Sequence, residues 1–163
     1  MGKEIERKFL VKSNEWRDEN TPPIHTVQGY LAASSDCTVR VRLQGERAFL
    51  TIKGKTERMT RPEYEYQIPA ADARELLDTL CLQPCIEKNR YEVKYAGKKW
   101  EVDEFFKENQ GLVLAEIELE SEEEQVELPP WVGEEVTMDH RYSNACLARD
   151  PFSRWGESGE IKS

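Results

Sequence analysis

The sequence predicts a mainly β fold of the α+β kind: an eight-stranded antiparallel barrel with a charged interior and a few peripheral helices. Two observations predict it. Apolar and charged residues alternate with period two through eight segments, which puts residues i, i+2 and i+4 on one face of a strand, and the sign of the charge is sorted by segment. A third sets the scale: 163 residues, 38% hydrophobic and 34% charged, suffice for one core and are short for two.

The elements follow in order. Lys3–Val11 sets Glu4, Glu6 and Lys8 on one face, with Ile5, Phe9 and the stem of Arg7 on the other. Ser13–Asp18 has a short helical pattern, and Thr26–Ala32 reads as the second strand. Thr38–Leu43 carries Arg40 and Arg42 against Val39, Val41 and Leu43; Ala48–Lys53 carries Thr51 and Lys53, with Lys55 beyond it as a less secure member of the same row. Arg61–Ile68 opposes Glu63 and Glu65 to Tyr64, Tyr66 and Ile68. The strongest helical spacing spans Ala70–Leu82. Three strands follow: Glu87–Tyr95 with Lys88 and Arg90, Lys99–Phe105 with Glu101 and Asp103, and Leu112–Glu120 with Glu116 and Glu118. Gln44-Gly45 and Ala96-Gly97 mark turns, while Glu122–Gln125 and Ser143–Arg149 complete the helical pieces. Residues 1–153 make one domain, and 154–163, with two glycines and few apolar residues, read as a flexible tail.

Composition excludes several functions. A net charge of −9 argues against bulk binding to nucleic acid or an anionic membrane. No apolar run approaches the ~20 residues of a membrane helix, and the charged start MGKEIERKFLV lacks a signal-peptide core. Cys37, Cys81, Cys85 and Cys146 form no CxxC pair, so they read as reduced thiols of a cytoplasmic protein. His25 and His140 stand alone in turn-like contexts and are not read as catalysts, and Trp16, Trp100 and Trp131 read as packing residues.

One charged strand face is ordinarily just the solvated side of an antiparallel sheet. Repeated over seven strands with like charges paired, that explanation weakens. Glu4/Glu6, Glu63/Glu65 and Glu116/Glu118 put carboxylates roughly 6–7 Å apart on one face, where they repel unless a cation lies between them. Carboxylate clusters suit hard divalent cations, and Arg and Lys clusters suit phosphate oxygens. Together they describe a metal-phosphate site inside a closed barrel whose apolar face packs outward against the helices, with nearly balanced seven-acid and seven-base sets.

The order of motifs resembles the CYTH superfamily, the triphosphate tunnel metalloenzymes. Glu4-Ile5-Glu6-Arg7-Lys8 matches the ExExK signature, followed in order by Gln28-Gly29-Tyr30-Leu31, Val39-Arg40-Val41-Arg42-Leu43, Thr51-Ile52-Lys53, Glu63-Tyr64-Glu65, Glu87-Lys88-Asn89-Arg90-Tyr91, Glu101-Val102-Asp103, Glu116-Ile117-Glu118 and Gly133-Glu134-Glu135-Val136-Thr137 leading to Arg141-Tyr142-Ser143-Asn144. The wording is most similar to the short bacterial inorganic tripolyphosphatases. The resemblance implies a tunnel open at both ends, Mg²⁺ or Mn²⁺ as two divalent ions, triphosphate as substrate, and often a homodimer. It assigns Glu4, Glu6, Glu63, Glu65, Asp103, Glu116 and Glu118 to the metals and Arg40, Arg42, Lys53, Lys88 and Arg90 to the phosphates. Lys8 and Tyr30 match a pair that positions the reacting end of the substrate, and Lys88 is read as the group that pairs with or protonates the leaving phosphate. The expected activity is metal-dependent hydrolysis of inorganic triphosphate to pyrophosphate and phosphate. The alternatives are a class IV-type adenylate cyclase, a thiamine or nucleoside triphosphatase, and a non-catalytic polyphosphate-binding module.

Overall fold

The computed structural model describes residues 2–158. Eight strands close into an antiparallel barrel: β1 (Gly2–Val11), β2 (Ile24–Ala33), β3 (Cys37–Gln44), β4 (Arg47–Gly54), β5 (Thr60–Ile68), β6 (Ile86–Tyr95), β7 (Lys98–Phe105) and β8 (Val113–Glu118). Their spatial order is β5-β4-β3-β2-β6-β7-β8-β1, and β1 returns to β5 through Gly2↔Glu63 to Ile5↔Thr60, which closes the ring. The β6–β7 hairpin turns on Ala96 (φ 52°) and Gly97 (φ 79°), the two positive angles of a type I′ turn.

A ninth strand, β9 (Val132–Glu135), lies outside the eight expected. Four residues with two adjacent acids give no alternation to read. It forms because β5 leaves the edge of β1 after Ile5, and β9 takes that edge again at Phe9 and Val11 across a bulge.

Two helices are present among the described residues, α1 (Ala70–Thr79) and α2 (Asn144–Arg149), besides short 3₁₀ turns. α1 packs Ala73 and Leu77 on Val41 and Ala48 of β3 and β4. The helices expected at Ser13–Asp18 and Glu122–Gln125 are turns instead. Segments this short cannot offset helix nucleation, and packing decides their shape: Trp16 is buried edge-on to Tyr91, centroids 4.9 Å apart. The outer face of β1, β7 and β8 is therefore covered by Trp16 and Trp131 from loops, not by helices. Residues 154–158 of the expected tail are instead part of a 3₁₀ segment, with Trp155 buried edge-on to Tyr142 and Phe152. Residues 159–163 of that expected tail lie outside the described residues.

The inner face changes character along the barrel. Leu10, Ile86, Phe105 and Leu114 lie two residues from Lys8, Lys88, Asp103 and Glu116 on the same strands, so they point inward too. They join Val136, Tyr142, Leu147 and Trp155 in an apolar stopper. The implied tunnel open at both ends is thus sealed at this one, and its mouth lies at the end where the β3–β4 and β6–β7 hairpins turn.

Candidate active site

The charged part of the interior is a cavity of about 220 Å³. Seven carboxylates and seven cationic side chains line it, drawn from every barrel strand except β2, which contributes Tyr30. The expected fourteen differ by one exchange on each side. Glu101 takes the place of Asp103, and Arg61 takes that of Lys55. Both additions were readable, since Glu101 precedes Asp103 and Arg61 precedes Glu63 by two residues on the same face. Lys55 fails because β4 ends at Gly54, after which alternation no longer fixes direction; its side chain is exposed on the outer surface.

Asp103 is 1% exposed and lies behind two bases. Arg90 donates to both its oxygens at 2.8 Å, and the Lys88 ammonium donates to Oδ2 at 2.9 Å. Burial alone would raise its pKa, but these two cations hold it well below the ordinary 3.8. Arg90 also meets Glu101 at 3.1 Å and Glu116 at 3.5 Å. Lys88, 1% exposed, donates a second bond to Asn144 Oδ1 at 3.2 Å. Burial outweighs the pull of Asp103 and lowers its pKa to about 8.

Across the lumen, Lys53 reaches both Glu4 oxygens at 3.1 Å, and Arg61 Nε donates to the same carboxylate at 3.1 Å. Against the cost of burial these cations hold Glu4 at about 2. Nearer the mouth, Glu65 accepts from Thr51 at 2.7 Å and Arg42 at 3.1 Å, with Arg40 at 3.6 Å. The buried Nε atoms of Arg40 and Arg42 have no partner, so each guanidinium retains a donor for a ligand. Tyr30, 5% exposed, has its hydroxyl pKa raised by burial, moderated by Arg40. Lys8 donates to the Tyr142 carbonyl at 3.2 Å and lies 3.6 Å from Glu116, so both it and Tyr30 face the cavity without a hydrogen bond to each other.

The acids have oxygen-only chemistry and uneven neutralisation, the two features a hard divalent cation requires. No three acidic, histidine or cysteine side chains converge as a ready chelate among the described residues, because the bases hold several carboxylates apart. Glu6 differs. No ion pair reaches it among the described residues, and burial, then Glu116 and Glu4, push its pKa up to about 8. That end of the lumen is one cation short, and the residues fit a divalent ion there.

This has a sign. A carboxyl raised in the folded state favours folding while protonated, so the metal-free protein should lose stability as pH rises from about 4.5 towards 8. Glu101 and Glu118, also raised by burial, act the same way. Lys88 titrates above this window, and Glu4 and Asp103 below it. Thermal melts in a chelator should therefore fall between pH 5 and 8, less steeply in Glu6→Gln, with Mg²⁺ restoring the loss at the alkaline end. An equal slope in wild type and variant would remove Glu6 as the source.

A sequence profile described as the CYTH domain matches residues 2–145. An inorganic triphosphatase of Acetivibrio thermocellus is 45% identical over 157 residues, covering 96% of this chain and all of that one. One from Nitrosomonas europaea is 39% identical over 149 residues, covering 89% and 96%. A crystal structure of an inorganic triphosphatase superposes with a TM-score of 0.64 at 38% identity, covering 88% of this chain and 96% of the other.

Proposed function

The chain belongs to the CYTH domain family, and from that premise we propose that it is a metal-dependent inorganic triphosphatase, hydrolysing triphosphate to pyrophosphate and phosphate inside the barrel. The observation that carries the reading is the lining itself, where seven carboxylates interleave with seven cations in one enclosed cavity. A simple anion binder gains nothing from the acids.

Phosphoryl transfer asks the protein mainly for in-line positioning and charge neutralisation. Arg40, Arg42, Lys53 and Arg90 grip phosphate oxygens, and Arg61 and Glu101, which line the same cavity, extend the two sets. Glu4, Glu6, Glu63, Glu65, Glu116 and Glu118 hold the ions; Asp103 acts through Lys88 and Arg90, which it anchors. Two divalent ions, Mg²⁺ or Mn²⁺, would neutralise phosphate charge and acidify the attacking water. Lys88, with a pKa near 8, is suited to give a proton to the departing pyrophosphate close to neutral pH. Lys8 and Tyr30 hold the terminal phosphoryl at the sealed end.

The cyclase alternative needs a surface to hold adenine. Tyr30 is the single aromatic side chain of the lining among the described residues, and it sits deep, away from the mouth. We assign the protein to the cytoplasm, in keeping with its four free cysteines, and infer a homodimer formed through the outer face of β5, where Tyr64 and Tyr66 are exposed.

Product analysis tests the activity. Metal-stripped protein is incubated with inorganic triphosphate, ATP or thiamine triphosphate, with and without Mg²⁺ or Mn²⁺. Phosphate plus pyrophosphate from inorganic triphosphate, with metal only, is the expected result. Cyclic AMP from ATP, or metal-free binding without turnover, would overturn it.

A further inference from the structure

With one end sealed by the apolar stopper, a triphosphate entering at the mouth lies between solvent and its own reacting end. Hydrolysis consumes one water there: its oxygen joins the terminal phosphorus as pyrophosphate leaves. The barrel wall supplies a second route. Between the end of the β5 ladder at Ile5 and the start of the β9 ladder at Phe9, one edge of β1 has no strand partner. Glu6 N–H instead donates to Met59 O at 3.2 Å, and Lys8 N–H to Thr137 Oγ1 at 3.0 Å.

Over this gap lies a separate cavity of about 60 Å³. Thr56 and Met59 form one rim, Thr137 and His140 the other, and its floor is made of Glu6 and Lys8, which also line the tunnel. The first rim is pinned from outside: Glu122 accepts from Thr60 at 2.5 Å and pairs with Arg58 at 3.0 Å. One water needs about 10–15 Å³ of such space, so the cavity admits water, and it is well below the tunnel that takes the substrate.

We propose that this side window is the water inlet of the tunnel, serving the sealed end while the phosphate chain occupies the mouth; the proposal rests on the triphosphatase reading. It assigns Thr56 and His140 to the inlet and to no step of the chemistry.

His140→Trp and Thr56→Trp narrow the window from opposite rims. His140 is exposed, so its replacement leaves the core untouched. Quenched single-turnover cleavage of inorganic triphosphate should slow on the order of tenfold in each, with His140→Ala and Thr56→Ala at the wild-type rate. Triphosphate binding without metal, followed by calorimetry, should not change. Cleavage at the wild-type rate in His140→Trp would overturn the inlet, and so would normal single-turnover cleavage with slowed steady-state turnover, since the window would then pass product. Absence of cleavage in the wild type would instead overturn the triphosphatase reading.

Discussion

Glu116→Gln should lower turnover of inorganic triphosphate by on the order of 10³-fold, because it deletes a charge at the centre of the site while keeping its volume. Glu116 is 8% exposed and stands between Lys8 at 3.6 Å and Arg90 at 3.5 Å. Burial would raise its pKa, yet these cations lower it, so the group is a carboxylate at every working pH. It is also the strongest charge acting on Glu6. On the proposed ligand assignment, removing it takes one ligand from the metal end and lets the remaining Glu6 ionise more readily, so part of the loss should return at high Mg²⁺. The check is a Mg²⁺ titration by calorimetry beside the kinetics. Weaker Mg²⁺ binding with rescue fits the assignment, and an isotherm equal to wild type would show that Glu116 serves only to place Lys8 and Arg90. Glu118→Gln, at an exposed position near the mouth, should cost far less.

What was legible in the sequence followed from one regularity. Two-residue alternation with sorted signs specified the barrel, its inward face and most of the lining, since a closed antiparallel sheet leaves a side chain two choices of direction. Arg61 obeyed the same rule and lacked only the step of extending its row by one more inward position, and Glu101 already stood in the row of Asp103 without being counted among the lining acids. Asp103 obeyed it as well, yet was drawn beneath Lys88 and Arg90, because direction on a strand does not determine which neighbour a carboxylate bonds. The stopper was hidden for a different reason. Leu10, Ile86, Phe105 and Leu114 keep the inward parity but change polarity, and an apolar residue at the end of a charged row reads locally as the loss of the pattern. β9 and the segment Tyr142–Ala145 are placed by what they pack against, namely a free edge of β1 and the sealed barrel end.

Asp103→Ala should produce the largest loss of stability of any change in the lumen. The substitution leaves Lys88 and Arg90 buried without the carboxylate that both engage, and breaking a buried ion pair from one side costs about 3–5 kcal/mol. For a domain of this size that corresponds to a fall in Tm on the order of 10 °C. The pKa of Asp103 is held below 3.8, so its contribution is fully present above that pH and is lost only in stronger acid. The difference between wild type and variant should accordingly vanish only in strong acid, and it should shrink as pH rises through neutrality, because Lys88 without Asp103 gives up its proton at lower pH than in wild type. The origin of the loss can be separated from simple cavity formation by an anion. If the cost is uncompensated positive charge facing the lumen, with Lys88 stripped of its carboxylate and Arg90 left to Glu101 and Glu116, inorganic triphosphate without metal should raise the Tm of Asp103→Ala more than that of wild type, because a phosphate supplies the missing negative charge. Equal shifts would mean that packing dominates. A greater shift would show that the base set is poised to exchange its internal carboxylate for a ligand, the property that lets a nearly neutral cavity accept a polyanion.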